Sequence, residues 1–372
     1  MAINTTIHKS LTSSPKFKVI NDASLVNHKF WSEFVRNHPQ GNVFQTPQMY
    51  AVFEETEGFV PILIVVMDDE LIKGIQLAVI QQETKRNLGI FSRRAVIRGG
   101  PLIDENDKEV LKLILDEYND LIKDKVLYTQ IRNWVDTSPN KSVFLKCNYK
   151  YLDHLNILLD LNQDEEEIWS NIKNSKRHSI RKAIREGVAV KMETSESNLG
   201  NTYEILLQVY NRIKLPCPNM DFFKNCKAHF QNDPRFLVFT ANWEDKTIAF
   251  RYVLAYKKVL YITYAGGLEE YYSKNANDLL NWELFLWGKE NGYTVYDFAG
   301  AGSPNADYGV RTNKLRFGGK LYNPGRYQKI HQPLLFYFVK VAFFLRRKLL
   351  TKKNMIVFRI NNYHFVLKIR AF

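Results

Sequence analysis

The sequence predicts a mixed α/β (α+β) fold of two tandem units followed by a basic, partly apolar tail. Three observations carry that expectation. Two stretches, 60–80 and 236–255, each read as a β-hairpin. Each is followed by a helical pattern that leads into a short β-rich run. Beyond Asp307 there is no Asp or Glu, and residues 308–372 carry more than the whole formal charge of +13.

In the first unit, taken as 17–158, Pro47 to Glu54 is a helix candidate. Val60 to Val66 is a β-rich run, Asp68-Asp69-Glu70 a turn and Ile72 to Ile80 the return strand. Helical periodicity over Val110 to Ile122 then runs into Val126 to Ile131. The second unit, 159–320, repeats the order. Thr202 to Ile213 is the helix, and Phe236 to Ala241, Trp243-Glu244-Asp245-Lys246 and Ile248 to Ala255 form the hairpin. Leu279 to Glu290 leads into Thr294 to Phe298. Hairpins with acidic turns are common, so the order alone leaves two unrelated α+β modules as the alternative to an internal duplication.

The second unit opens on Ile168 to Gly187, read as one basic helix. Lys173, Arg177, Arg181 and Arg185 fall at successive i, i+4 positions and form one stripe, with Ile172, Ile180, Ala183 and Ile184 on an apolar side. Lys176 and Lys182 add to the charge. Like charges at this spacing repel by a few tenths of a kcal/mol per pair, and an anionic ligand would relieve them. The alternative is a solvated helix face. Gly187 suits the helix stop and Asp164 to Glu167 the acidic start.

Residues 321–372 form a return segment and tail. Leu334 to Leu345 is apolar apart from Lys340 and precedes Arg346-Arg347-Lys348 and Lys352-Lys353, a pattern suited to an anionic membrane surface. An ordinary packed helix is the alternative. Ile356 to Ile369 is strand-like and basic, with no role assigned.

Composition sets the class. The chain has 372 residues, 45% hydrophobic and 24% charged, which suits a globular protein with room for two or three domains. Three cysteines, Cys147, Cys217 and Cys226, argue against a disulfide framework and for a reducing cytosol. Met1 to Pro15 is polar, unlike a secretory signal, and no apolar run reaches the roughly 20 residues that span a bilayer. The expected location is cytoplasmic, peripheral at the inner face of the plasma membrane.

Several chemistries lack an anchor. There is no G-x-x-x-x-G-K-[ST] loop, no G-x-G-x-x-G after a strand and no G-x-S-x-G elbow. Cys217, Cys226 and His229 lack a fourth zinc ligand, so no metal is expected. What remains is Tyr296-Asp297-Phe298-Ala299-Gly300 followed by the glycine-bounded segment from Gly309 to Gly319, which contains Arg311, Lys314 and Arg316. A β-rich run ending in glycines before a basic segment suits a site for a negatively charged group.

That block resembles the signature of the FemABX peptidyltransferases, which attach amino acids from aminoacyl-tRNA to peptidoglycan precursors. Helix, antiparallel pair, helix and strand is also the order of the GNAT acyltransferase fold. Two tandem GNAT-like units is what the resemblance implies, and it favours the duplication. Lys314 falls at the family's lysine position ahead of Phe317-Gly318-Gly319, with Asn313 in place of the usual aromatic residue. The resemblance implies that Lys314 stabilises the developing oxyanion or the tRNA terminus. Asp297 either orders the following loop by accepting backbone N–H bonds or orients the acceptor amine. Tyr264, ahead of Gly266-Gly267, lies where a GNAT strand faces the donor. Phe44-Gln45-Thr46-Pro47 resembles the start of the family's first helix and Arg98-Gly99-Gly100-Pro101 its glycine-proline turn, placing Gln45 and Arg98 along the acceptor cleft.

The expected catalytic residues are therefore Lys314 and Asp297. The expected binding residues are Lys173, Arg177, Arg181, Arg185, Arg311, Arg316, Tyr264, Gln45 and Arg98. The implied donor is aminoacyl-tRNA, with no cofactor, and the implied acceptor an amine of a lipid-linked peptidoglycan precursor. One rival is a CoA-dependent N-acyltransferase acting on an envelope polysaccharide or amino sugar, with acetyl-CoA as donor and Gly266-Gly267 as an altered pyrophosphate loop. The other is a non-catalytic RNA- or membrane-binding protein.

Overall fold

Each half of the chain pairs its hairpin into its own sheet, and the computed structural model shows what completes each sheet. It describes residues 16–81, 93–193, 197–213 and 215–341. The first sheet takes β1 (Lys18–Ile20). The helices α1 (His28–Asn37) and α2 (Pro47–Glu54) follow, then the hairpin β2 (Phe59–Asp68) and β3 (Leu71–Gln81). After β4 (Arg94–Arg98) and β5 (Leu102–Ile103), α3 (Lys108–Ile122) crosses to β6 (Tyr128–Arg132). α4 (Lys141–Lys146) and β7 (Lys150–Leu152) close the region. β4 and β6 are parallel, as a helical crossover requires. α3 buries Val110, Leu111, Ile114, Leu115, Tyr118 and Ile122 on one side, the 3.6-residue spacing read in the sequence. Asp107 caps it, accepting from the backbone N–H groups of Glu109 and Val110.

β8 (Asn156–Asp160) already belongs to the second sheet. The helices α5 (Glu165–Asn171) and α6 (Asn174–Arg185) lead to β9 (Ala189–Glu193), α7 (Ser197–Ile213) and α8 (Met220–His229). Three strands follow in a meander, β10 (Arg235–Trp243), β11 (Lys246–Tyr256) and β12 (Val259–Gly267). α9 (Ala276–Glu290) crosses to β13 (Val295–Gly300), and α10 (Gly309–Leu315) precedes β14 (Lys320–Tyr322) and β15 (Arg326–Ile330). The order in this sheet is β14-β8-β13-β12-β11-β10-β9. β15 returns to the first sheet and lies between β6 and β7, antiparallel to both.

The basic segment differs from its sequence reading. It is two helices rather than one, because the chain breaks at Ile172-Lys173, where the Lys173 N–H donates to the Arg316 carbonyl at 2.9 Å. Lys173 is thus the N-cap of α6, outside the helical stripe. Ile172, Ile180 and Ala183 are buried as expected, but Ile184 is 53% exposed, on the stripe's own side of the helix.

Among the described residues there are three apolar cores. One lies under α3 and one under α9. The third joins the halves, packing Phe44, Met49 and Phe53 against Phe222, Phe223, Tyr252 and Tyr261. Residues 333–341 are helical, with Phe336 against Tyr128 and with Leu334, Tyr337 and Phe338 exposed. The rest of the apolar tail segment, the arginine-lysine clusters after it and the strand-like stretch 356–369 lie outside the described residues. Among the described residues no helix is long and apolar enough to cross a membrane.

Candidate active site

The parallel strands β12 and β13 stay in register only from Val259 opposite Val295 to Tyr261 opposite Asp297. Beyond that point β12 continues on β11 and β13 on β8, so the two strands part. Asp297 stands at the fork. It is buried, and its Oδ1 accepts the Ala299 N–H at 2.7 Å and the Asn156 amide at 3.2 Å. The Trp134 indole N–H approaches the carboxylate without completing a hydrogen bond. Burial raises the Asp297 carboxyl to about 6, against the opposing pull of the Ala299 N–H and Lys314.

Ala299 has φ of +61°, a left-handed turn that ends the strand. The turn lets the last carbonyls of β13 converge on one point, and Lys314 Nζ occupies it. It donates to the carbonyls of Phe298 at 2.5 Å, Gly300 at 2.9 Å and Ala299 at 3.3 Å. Burial lowers the Lys314 ammonium to about 8, while Asp297 acts to hold it up. Lys314 reaches this point from α10, and the turn after α10 anchors that helix. Phe317 is fully buried under α9, and Gly319 passes so close to Ile157 that a Cβ there would lie 2.5 Å from its Cγ2. The Phe-Gly-Gly run is therefore a packing device that fixes the lysine's reach.

The expected binding residues separate into groups. Lys173 and Arg316 meet: with Ser175, Thr312 and Leu315 they line one open cleft between the starts of α6 and α10. Arg177, one turn along α6, donates to the Asn174 side chain. Arg181 lies over the Trp169 ring at 5.2 Å, and Arg185 is exposed at the far end. Lys176 leaves the exposed charge altogether. It forms a mostly buried pair with Asp278 at 2.7 Å and lies over the Phe317 ring.

Of the other four positions, Gln45, Arg311 and Tyr264 serve the scaffold. Gln45 is fully buried, its amide donating to the Leu77 and Arg98 carbonyls and its oxygen accepting the Leu77 N–H, so both amide hydrogens are committed to backbone. That corrects its assignment to the cleft. Arg311 donates to the carbonyls of Ser303, Pro304 and Ala306 and so braces its own loop. Tyr264 lies away from the fork. A bulge at Thr263 turns it onto the same face as Tyr261, where it packs against Phe222 and Phe223 in the joint between the halves. Gly266-Gly267 are buried strand residues pressed on Phe250 and Asn277, not a loop. Arg98 lies 5.2 Å from the Phe44 ring centroid and borders the apolar joint between the halves.

Residues 170–308 match the family model of the acetyltransferase (GNAT) domain. No curated protein matches the chain. Among solved structures, the crystal structure of FemX superposes with a TM-score of 0.66 at 14% identity, covering 87% of this chain and 100% of that one. A tandem GNAT protein from the clavulanic acid biosynthesis pathway gives 0.55 at 8% identity, covering 85% and 98%. A conserved protein of unknown function from Bacteroides thetaiotaomicron gives 0.53 at 11%, covering 82% and 97%. The chain has a FemABX-like GNAT fold. Within that fold the fork between β12 and β13 lies inside the matched domain, whereas Lys314 comes from just beyond it.

Sequence reasoning missed Asn156, Trp134 and Tyr261, which surround Asp297. Asn156 sits in an apolar strand, and nothing local marks it as the partner of a carboxylate 141 residues away.

Proposed function

We propose that the protein is an acyltransferase that moves an aminoacyl group from aminoacyl-tRNA to an amine, with a lipid-linked peptidoglycan precursor as acceptor. The observation that carries this reading is the lysine held at the parting of two parallel strands beside a buried carboxylate. Aminolysis of an activated ester needs three things: an aligned amine, stabilisation of the tetrahedral oxyanion, and a proton for the departing ribose oxygen. The fork supplies an entry between strands. Lys314 supplies the charge, and its longest contact, to Ala299, is the one it can exchange for the oxyanion. An ammonium lowered to about 8 is charged at neutral pH yet acidic enough to pass its proton to the leaving oxygen, and it regains one from the attacking nitrogen, which sheds a proton as the amide forms. Asp297 is enclosed and does not reach substrate; it positions the strand end and keeps Lys314 protonated. The cleft of Lys173 and Arg316, continued by Arg177, suits a phosphate backbone.

The CoA-dependent reading keeps one favourable observation, the match to the acetyltransferase domain. Against it, the helix that follows β12 is α9. Its first turn carries Asp278 paired to Lys176 where a pyrophosphate would need free N–H groups and no acid. The test is label transfer to extracted lipid precursors from charged tRNA and, separately, from acetyl-CoA, with wild type and Lys314→Ala. Label from tRNA that is lost in the variant supports the proposal. Label from acetyl-CoA alone overturns it.

A further inference from the structure

Arg98, Arg132 and Arg326 form a row across three neighbouring strands of the first sheet. Arg98 is opposite Arg132 on the parallel pair β4 and β6, and Arg326 is opposite Arg132 on the antiparallel pair β6 and β15. Directly paired residues project from the same face, so the three guanidinium groups lie side by side. That face looks toward the second half. A Cβ built on Gly300 would stand 3.7 Å from the Arg326 guanidinium and 3.1 Å from His154 Nε2. The Gly300 carbonyl is one of those that hold Lys314.

Among the described residues no carboxylate forms an ion pair with any of the three. Arg132 and Arg326 share the Gln130 side-chain oxygen, which takes Arg132 Nε at 2.9 Å and one Arg326 N–H at 3.3 Å, while Arg98 turns toward the Tyr264 hydroxyl. A guanidinium has five donors, so most of this capacity is open. The charges feel one another. Arg132 is pushed well below the usual arginine value, first by burial and then by Arg98 and Arg326. Arg326 falls to about 10 by burial and by Arg98, and His154 falls to about 4 by burial and by Arg326, Arg132 and Lys314. Enclosed like charges without a counter-ion weaken a fold, and a bound anion would relieve them.

We propose that the row of Arg98, Arg132 and Arg326 is a binding site for a compact oxyanion, a phosphate or a carboxylate, carried by the acceptor next to its reacting amine. The site itself stands on geometry; its assignment to the acceptor rests on the acyl-transfer reading above. Planar guanidinium groups side by side offer paired N–H donors to two oxygens of one group. Gly300, with no side chain, lets the strand end that holds Lys314 pass close to Arg326 and His154, so a group on the row lies near the fork. The acceptor class is therefore an amine with an acidic group a few bonds away, such as an amino acid, a peptide end or an amino sugar phosphate.

The test is thermal unfolding of the full chain, without acyl donor, in phosphate, pyrophosphate or acetate against chloride at matched ionic strength. Wild type, Arg132→Gln and Arg326→Gln are compared. The expected result is a saturable rise in Tm for wild type, larger with phosphates if the group is a phosphate and with acetate if it is a carboxylate. Each variant should lose most of that rise and, in chloride, melt at or above the wild-type temperature. No anion-specific rise in wild type, or a rise retained in both variants, overturns the proposal. Should Arg132→Gln fail to fold, the Arg326→Gln comparison decides alone. An anion response in a protein that shows no acyl transfer removes the acceptor assignment and leaves the site; transfer without an anion response removes the site and leaves the acyl-transfer reading.

Discussion

The two halves share one plan and differ at one joint. In the first, the parallel pair β4 and β6 is registered along its whole length, from Arg94 opposite Tyr128 to Arg98 opposite Arg132. In the second, the corresponding pair β12 and β13 keeps three residue pairs and then parts. Beside that pair each half takes a strand from outside its own run of elements. β8, from before the second half, lies beside β13, and β15, from after it, lies beside β6. The closed pair presents side chains from a continuous surface, whereas the open one exposes strand-end carbonyls that can hold a lysine. One plan thus yields a closed pair in one copy and a fork in the other.

The comparison breaks most sharply at Lys314. Lys314→Ala should lower the transfer rate by about 10²–10³-fold, the usual scale for removing one oxyanion-stabilising group, measured as single-turnover kinetics. The same residue gives a pH signature. Its native ammonium releases a proton at about 8, below its ordinary value of 10.5. The unfolded chain therefore binds more protons between these values, and stability rises with pH through that window, by up to about 3 kcal/mol. Denaturant titrations from pH 7.5 to 10.5 should show the rise in wild type and not in Lys314→Met.

Next in size is the pair that anchors α6 on α9. Lys176→Ala leaves Asp278 buried and unpaired and should cost about 3 kcal/mol, read from the urea midpoint. The control lies in the first half. Ile131, fully buried in β6, should lose about 1 kcal/mol as Ile131→Val while transfer is unchanged. A rate loss there would mean the closed pair takes part in the chemistry. Smallest is the exposed helix. Arg177→Ala should weaken tRNA binding a few-fold and reduce the slope of log affinity against log salt by about 1.

What the sequence made legible was local. Both hairpins appear close to their expected bounds, because β-rich runs and acidic turns are neighbours in the chain. So do α3 and α9, from periodicity. At the site, Asp297 accepts the Ala299 N–H, the loop-ordering contact expected of it. What stayed hidden depends on distant pairing. Arg326 to Ile330 has little alternation to mark it as an interior strand, and its partners are Tyr128 to Arg132. Arg98, Arg132 and Arg326 become one row only through that pairing. Gln45 misled because a buried amide committed to backbone and a ligand-binding amide look alike in sequence. The break at Lys173 was invisible for a similar reason: it is set by the Arg316 carbonyl, far along the chain.

The place of β15 has a consequence for how the molecule is made. Tyr327 pairs with Ile131, so a newly synthesised first half emerges from the ribosome with the β6 edge unpaired. That edge waits until the whole second half has been translated. The half that begins first is finished last, and a chain cut short before residue 326 would hold every strand of the second sheet but leave the β6 edge of the first open to pair with another chain.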